Sequence, residues 1–491
     1  MNKKVCSFPI LFALLALLIG TCAVVFPASA QAAPTSTGSI TVSGTVASSY
    51  DAYQIFSANV VDGDSDAKIA TDLAWASDAV RDAALPVLHS AGMPKSQTTA
   101  QEAAEWLNTD SHLTSALSAQ LARSLQSSGA VSVALNAGTT AELPCGYWLI
   151  VADDDAIAQG EAGTAPIMAL VGGSAVTVKP KAATPKVQKH VLEDSTAAWQ
   201  KAADATVADD LYWRLSATVP AGLTAYDTYT VRFVDTMSAG LDPSKVAASM
   251  RVYVAAGADG GFDAVQTGKD GRAGTEPAKG WTDITAQCAT KVAADGKTFT
   301  VRTGDLIAAL GGADAFAAGA RVVAVYNAPL NGACNHGIAK GNPNEVYLRY
   351  PRSPFADQSG DAGFTRTPSD DACAYTWDLA LTKRGSDGDK PLAGAVLSIT
   401  DDRGRTLAAD GTWDAEGKAT VTTGEDGRVT VSGADSGKLE VHELKAPKGY
   451  TAFEGTRSVT VKAEGLDVDQ VAAAKPKLTI TACLLYTSDA A

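Results

Sequence analysis

The stretch VTVKPKAATPKVQKHV, from Val176 to Val191, gathers Lys179, Lys181, Lys186 and Lys189 on a chain whose formal net charge is −14. Beyond being a solvated charge, a lysine has two uses in such a place. At the rigid end of a strand, a primary amine that is deprotonated at the moment of attack is a nucleophile. Within a strand, an amine that faces the core is costly unless it is paired. Lys189 falls in phase with Val187 and Val191, and Lys383, in LALTKRG, falls in phase with Leu379 and Leu381, so alternation turns both toward an interior. Pro180 and Pro185 interrupt the segment, and a plain solvated linker is the alternative reading for Lys179, Lys181 and Lys186.

Other chemistry has little support. His89, His112, His190, His336 and His442 are scattered, which argues against a zinc site and leaves no nucleophile–base pair for a hydrolase. Asp62-Gly-Asp-Ser-Asp66 imitates the start of a calcium loop, but Ala67 and Leu73 stand where glycine and glutamate are needed, so it reads as a turn. With 40 Lys+Arg against 54 Asp+Glu, no general attraction to nucleic acid or anionic lipid is expected. No metal and no cofactor are expected.

The elements that must position the lysines are mostly strands. Lys3 and Lys4 precede the apolar run PILFALLALLIGTCAVVF, which ends at Ala28-Ser29-Ala30, so residues 1–30 read as a signal peptide and the chain as secreted. Five cysteines follow it, Cys145, Cys288, Cys334, Cys373 and Cys483, too few for a disulfide framework; a Cys288–Cys334 or Cys334–Cys373 bridge stays open. Three strand-rich blocks then appear. The first holds SITVSGTVASSYDAYQIFSANVV and ELPCGYWLIVAD around an alanine-rich stretch, about Asp66 to Ser128, that predicts helices broken near Pro86 and Pro94. The second, about Pro185 to Pro354, contains LYWRLSATVP, TYTVRFVDTM, RVVAVYNAPL and NEVYLRY. The third, from about Tyr375, has short strands separated by Gly and Asp turns, the pattern of a small sandwich. The fold class is therefore mainly β, as tandem immunoglobulin-like sandwiches, the first with a helical insertion.

In combination these blocks resemble the sortase-assembled major (shaft) pilins of Gram-positive bacteria. KVQKHV, YTVRFVDTMSAGL, VYNAPLN and GNPNEVYLRY resemble the isopeptide-forming middle domain, and LALTKRGSDGDKPLAGAVLSI with LEVHELKAPKGY resembles the prealbumin-like, collagen-adhesin (Cna) B-type domain. The resemblance implies domains at 36–181, 182–354 and 375–482, the last truncated, followed by a tail, 483–491, that reads as adapter sequence rather than native protein. It implies a structural cell-wall subunit and no enzyme, joined to other pilin subunits by a pilus-specific sortase. The pilin motif's lysine maps to Lys181, with Val176, Val178 and Pro180 matching; Lys179 replaces the motif's tyrosine and is a rival acceptor, and Gly172 stands in place of its tryptophan. An internal amide is implied between Lys189 and Asn344, with Asp235 as the catalytic acid and Asn342 as the rival acceptor. Burial would lower the amine's pKa and raise the acid's, so that a neutral amine attacks while a protonated acid shuttles protons. In the third block Lys383 and the catalytic-acid position Glu443 match, but no asparagine follows Asn344, so no amide is expected there. No sorting signal is found. The alternative function is a wall-anchored adhesin that binds host glycoprotein or matrix.

Overall fold

The computed structural model describes residues 36–482, apart from 45, 64–66, 110–111, 164, 181–183, 269–271 and 387, together with the backbone of 486–487. In the first unit the long strand Ser49–Asp62 carries Lys68–Trp75 and Val133–Asn136 and pairs with Gly146–Ala152, which in turn pairs with Ile167–Val171. A second sheet has Thr37–Val42 at its centre, antiparallel to Thr140–Pro144 and parallel to Val176–Val178. Ile40, Val42, Tyr50, Ala52, Trp148 and Ile150 fill the space between the sheets. The outer face of the larger sheet is covered by three helices through Ile55, Phe56, Leu88, Leu121 and Leu125.

Those helices, Asp78–Ser90, Ala100–Asn108 and Ser115–Ser128, start at Ser77, Thr99 and Thr114, whose side chains accept from Val80, Glu102 and Leu117 N–H groups. Two details of the expected insertion change. Residues from Lys68 form a strand, because Ala70 packs against the neighbouring strand, and the helices begin ten residues later. Pro86 does not break its helix but lies within Asp78–Ser90; the apolar contacts of Val80, Ala83, Ala84 and Leu88 outweigh one missing backbone hydrogen bond.

The middle unit is a sandwich. One sheet runs in the order Ala198–Gln200, Lys186–Glu193, Tyr212–Val219, Ala320–Asn327, Arg251–Ala256, Thr282–Asp283; the other runs Ala202–Asp204, Asp370–Tyr375, Asn342–Pro351, Arg232–Met237, Thr298–Arg302, Ala289–Val292. Trp213, Leu215 and Tyr326 of the first meet Phe233, Val346 and Phe299 of the second in one core. The sheet passes the boundary expected at 354: Phe364–Arg366 and Asp370–Tyr375 both pair with Asn342–Pro351, so residues up to Tyr375 are needed to cover the edge of that strand not taken by Arg232–Met237.

In the C-terminal unit Trp377–Thr382 pairs, among the described residues, with Arg428–Ala434, while a larger sheet joins Val396–Thr400, Gly437–Lys445, Thr456–Glu464 and Lys477–Ala482. The short strand Arg384–Gly385 lies parallel to Tyr486–Thr487. Arg403 bridges to Asp194 at 2.6 Å and Asp209 at 2.7 Å, and Arg405 reaches Asp209 at 2.5 Å, tying this unit to the middle one. Cys145, Cys288, Cys334 and Cys373 are all free thiols, so neither contemplated bridge forms; Cys288 instead directs its thiol to Ile284 O. Among the described residues no helix is long and apolar enough to cross a membrane, and no group of three or more His, Cys, Asp or Glu side chains is placed to hold a metal.

Candidate functional site

Alternation on Lys186–Glu193 points Lys189 inward beside Val191, opposite Leu215 of the neighbouring strand, and its side chain is fully buried. Asp235 and Asn344 come from adjacent strands of the opposite sheet, where Asp235 pairs in register with Val346 and Met237 with Asn344; both are also fully buried. The structure therefore brings together the three residues that the sequence suggested. Lys189 Nζ donates to Asp235 Oδ2 in a short charged contact and to Tyr326 Oη at 2.9 Å. Tyr326 Oη donates to Asp235 Oδ2 at 3.0 Å and accepts from Asn344 Nδ2 at 2.8 Å. The carbonyl oxygen of Asn344 and the second oxygen of Asp235 have no partner.

Desolvation sets the electrostatics. Burial pulls the Lys189 ammonium down to about 8 against the opposing pull of Asp235, and burial pushes the Asp235 carboxyl above its ordinary range. Both shifts favour the uncharged pair, a neutral amine beside a protonated acid. The amine also lies over the rings of Trp213 and Tyr326, at 5.5 Å and 5.4 Å from their centroids. The rival Asn342 is equally buried but engaged: its amide donates to Asn335 O and Ala374 O and accepts from Asn335 N–H. It makes no hydrogen bond to Lys189, Asp235 or Tyr326. Asn344 is thus the carboxamide beside the amine.

Three further residues at this site went unnoticed in the sequence. Tyr326 follows Val322 and Ala324 in apolar alternation, and nothing in that pattern marks a hydroxyl for use. Asp370 accepts the backbone N–H of Lys189 at 2.6 Å and the ammonium of Lys201, which also donates to Lys189 O at 2.9 Å. These two residues clamp the backbone of Lys189 on both sides.

In the C-terminal unit Lys383 and Glu443 are both buried, with Nζ 3.2 Å from Glu443 Oε2. The approach is an ion-pair contact without hydrogen-bond alignment, since Nζ has no hydrogen-bond partner; Oε2 is taken by the Phe453 N–H at 2.9 Å, and Oε1 has none. Burial lowers the Lys383 pKa. Lys181 lies outside the described residues. The strand before it, Val176–Val178, buries Val178 and leaves Lys179 exposed. Gly172, which stands in place of the pilin motif's tryptophan, has φ +130°, and a Cβ there would stand 2.6 Å from Val60 Cβ and 2.8 Å from Cys145 Sγ. No side chain fits at this position.

The family model of the SpaA prealbumin-like fold domain matches residues 378–475, a span that contains Lys383 and Glu443. The C-terminal unit is a SpaA-type domain. Over 143 residues the chain is 29% identical to the trypsin-resistant surface T6 protein of Streptococcus pyogenes, a stretch that is 28% of this chain and 24% of that protein. Among solved structures the chain is similar to the T6 backbone pilin of Streptococcus pyogenes (16% identity, 94% of this chain and 100% of that one, TM-score 0.48). It is also similar to the major pilin SpaD of Corynebacterium diphtheriae (17% identity, 85% and 88%, TM-score 0.42). In the SpaA-type domain, as in the middle unit, the amine sits on the unit's first strand region and the acid on a strand across the core.

Proposed function

We propose that this chain is a structural backbone subunit of a covalently polymerised pilus on the surface of a Gram-positive cell, and that its middle unit staples itself with an amide between Lys189 and Asn344. The observation that carries this reading is the buried cluster of Lys189, Asp235, Tyr326 and Asn344: a buried amine at depressed pKa, a buried acid at raised pKa, and a carboxamide whose oxygen has no hydrogen bond. In the closure, Lys189 Nζ attacks Asn344 Cγ, a C–N bond forms, the bond from Cγ to Nδ2 breaks, and ammonia leaves. Each chain does this once, which is self-modification rather than enzymatic turnover. The resulting bond crosses the core from one sheet to the other. The trypsin resistance in the T6 protein's name agrees with such a staple.

Polymerisation is assigned to Lys181, three residues after the strand Val176–Val178 in the sequence, as acceptor for a pilus-specific sortase acting on the next subunit. The units proposed are 36–181, 182 to Tyr375, and the SpaA-type domain from Thr376 onward. In that domain Lys383 and Glu443 form the same opening pair, with no asparagine after Asn344 to complete it. Intact mass decides the central claim: the protein should weigh one ammonia less than its sequence, and Asp235→Ala should restore the full mass. Full mass in the unaltered protein refutes the staple. Incubation with the cognate sortase and a subunit bearing its sorting signal should give ladders branched at Lys181; ladders that survive Lys181→Ala refute that assignment.

A further inference from the structure

The closure moves one proton. Starting from the neutral amine, Nζ gives up a hydrogen as it becomes an amide N–H, and Nδ2 gains one as it leaves as ammonia. Asp235 touches the first of these nitrogens but makes no hydrogen bond to Asn344: its Oδ2 is taken by Lys189 and Tyr326, and its Oδ1 and the Asn344 oxygen are both without partners. Among the described residues, the one oxygen that hydrogen-bonds to both nitrogens is Tyr326 Oη, 2.9 Å from Nζ and 2.8 Å from Nδ2.

We propose that Tyr326 is a catalytic residue of the closure, its hydroxyl relaying the proton from Lys189 Nζ to Asn344 Nδ2; this rests on the Lys189–Asn344 reading above. Direct transfer between two nitrogens on the same carbon would pass through a strained four-membered ring. Passage through Oη makes the ring six-membered: Nζ, hydrogen, Oη, hydrogen, Nδ2 and Cγ. Oη accepts the proton that Nζ sheds while handing its own to Nδ2, so the tyrosine ends as it began and no co-reactant is needed. Asp235 primes this step. Once it holds the proton of the former ammonium it no longer requires the Tyr326 hydrogen, which is then free to turn toward Nδ2. Burial and the neighbouring Asp235 hold the phenol pKa far above its usual value, so no phenolate accumulates and the two transfers run together. The ring is fixed edge-on against Phe299, with centroids 4.9 Å apart and planes at 75°, so the oxygen stays between its partners.

The test follows the loss of ammonia by intact mass at timed intervals after cell-free synthesis of the full chain. Tyr326→Phe removes only the hydroxyl and should slow closure about 10²-fold or more, the usual contribution of a positioned acid–base group. Fluorotyrosine at 326, which changes the acidity of the hydroxyl and scarcely its size, should shift the rate, a readout that a packing role would not move. Thermal unfolding of Asp235→Ala with and without Tyr326→Phe, neither of which closes, measures the packing cost alone; similar melting of the two shows that the slow closure comes from chemistry. Closure of Tyr326→Phe at the unaltered rate, or a rate indifferent to fluorination, overturns the relay while leaving the staple intact. An unaltered protein that never loses ammonia overturns the staple itself, and the relay with it.

Discussion

Asn344→Ala removes the acceptor and leaves the rest of the cluster in place, so it isolates what the covalent bond does for stability. The proposed amide would close a loop of about 155 residues, from Lys189 to Asn344. In the chain-entropy description of a cross-link, a loop of that length removes about 5 kcal/mol of disorder from the unfolded chain. The hydrogen bond from Nδ2 to Tyr326 does not enter this figure, because Nδ2 leaves with the ammonia. For a unit of this size, 1 kcal/mol shifts the melting temperature by roughly 2–4 °C, so the variant should melt about 10–20 °C lower. Scanning calorimetry measures this on the transition of the middle unit, with intact mass run on the same sample. Asp235→Ala reaches the same uncross-linked state by another route and should fall by a comparable amount, plus whatever an amine without its acid costs. If the unaltered protein lacks one ammonia yet Asn344→Ala melts within a few degrees of it, the entropic account of the bond is wrong.

Three other outcomes are expected. Closure should show a bell-shaped pH dependence, because the reactive pair carries one proton: above about 8 Lys189 is neutral but Asp235 has lost its proton, and on the acid side, at a limb displaced upward from the ordinary carboxylate range, the amine is an ammonium; timed mass spectra across pH would record it, and a rate that keeps rising into alkali would contradict it. Gly172→Ala should destabilise the first unit by about 1–3 kcal/mol, read from the urea midpoint, because the new methyl meets Val60 and Cys145. Replacing the buried pair of the SpaA-type domain together, Lys383→Met with Glu443→Gln, should be neutral or stabilising by up to about 4 kcal/mol in denaturant melts, whereas Glu443→Ala alone should cost about 3–5 kcal/mol.

The sequence made the two lysines legible because alternation on a strand is a two-valued signal, whereas Asp235 and Glu443 came only from the family resemblance. Lys189 between Val187 and Val191, and Lys383 after Leu379 and Leu381, stand out as charges on an apolar face, and the structure buries both. Tyr326 carried no such contrast, since an aromatic ring on a buried face is ordinary core and only its neighbours in space reveal what its hydroxyl touches. Lys201 and Asp370 were hidden for a related reason: they meet around the backbone of Lys189 from positions 169 residues apart. The sheet runs on past residue 354, and the pairing of Asp370–Tyr375 with the Asn344 strand is set by a register that local pattern does not encode. Pro86 misled, since packing against the sheet holds its helix together.

The four free thiols among the described residues bear on how such a chain matures. Cys145 and Cys373 are buried, and burial holds the thiols of Cys288 and Cys373 up at about 11, so little thiolate is present at neutral pH. Thiolate is the species that exchanges with disulfides and reacts with oxidants. These units can therefore fold in an oxidising exterior with neither an oxidase to form bonds nor an isomerase to correct them. If copies assemble side by side as proposed, thiols held protonated also make accidental sulfur bridges between them slow, and the lasting connections would be of nitrogen to carbon.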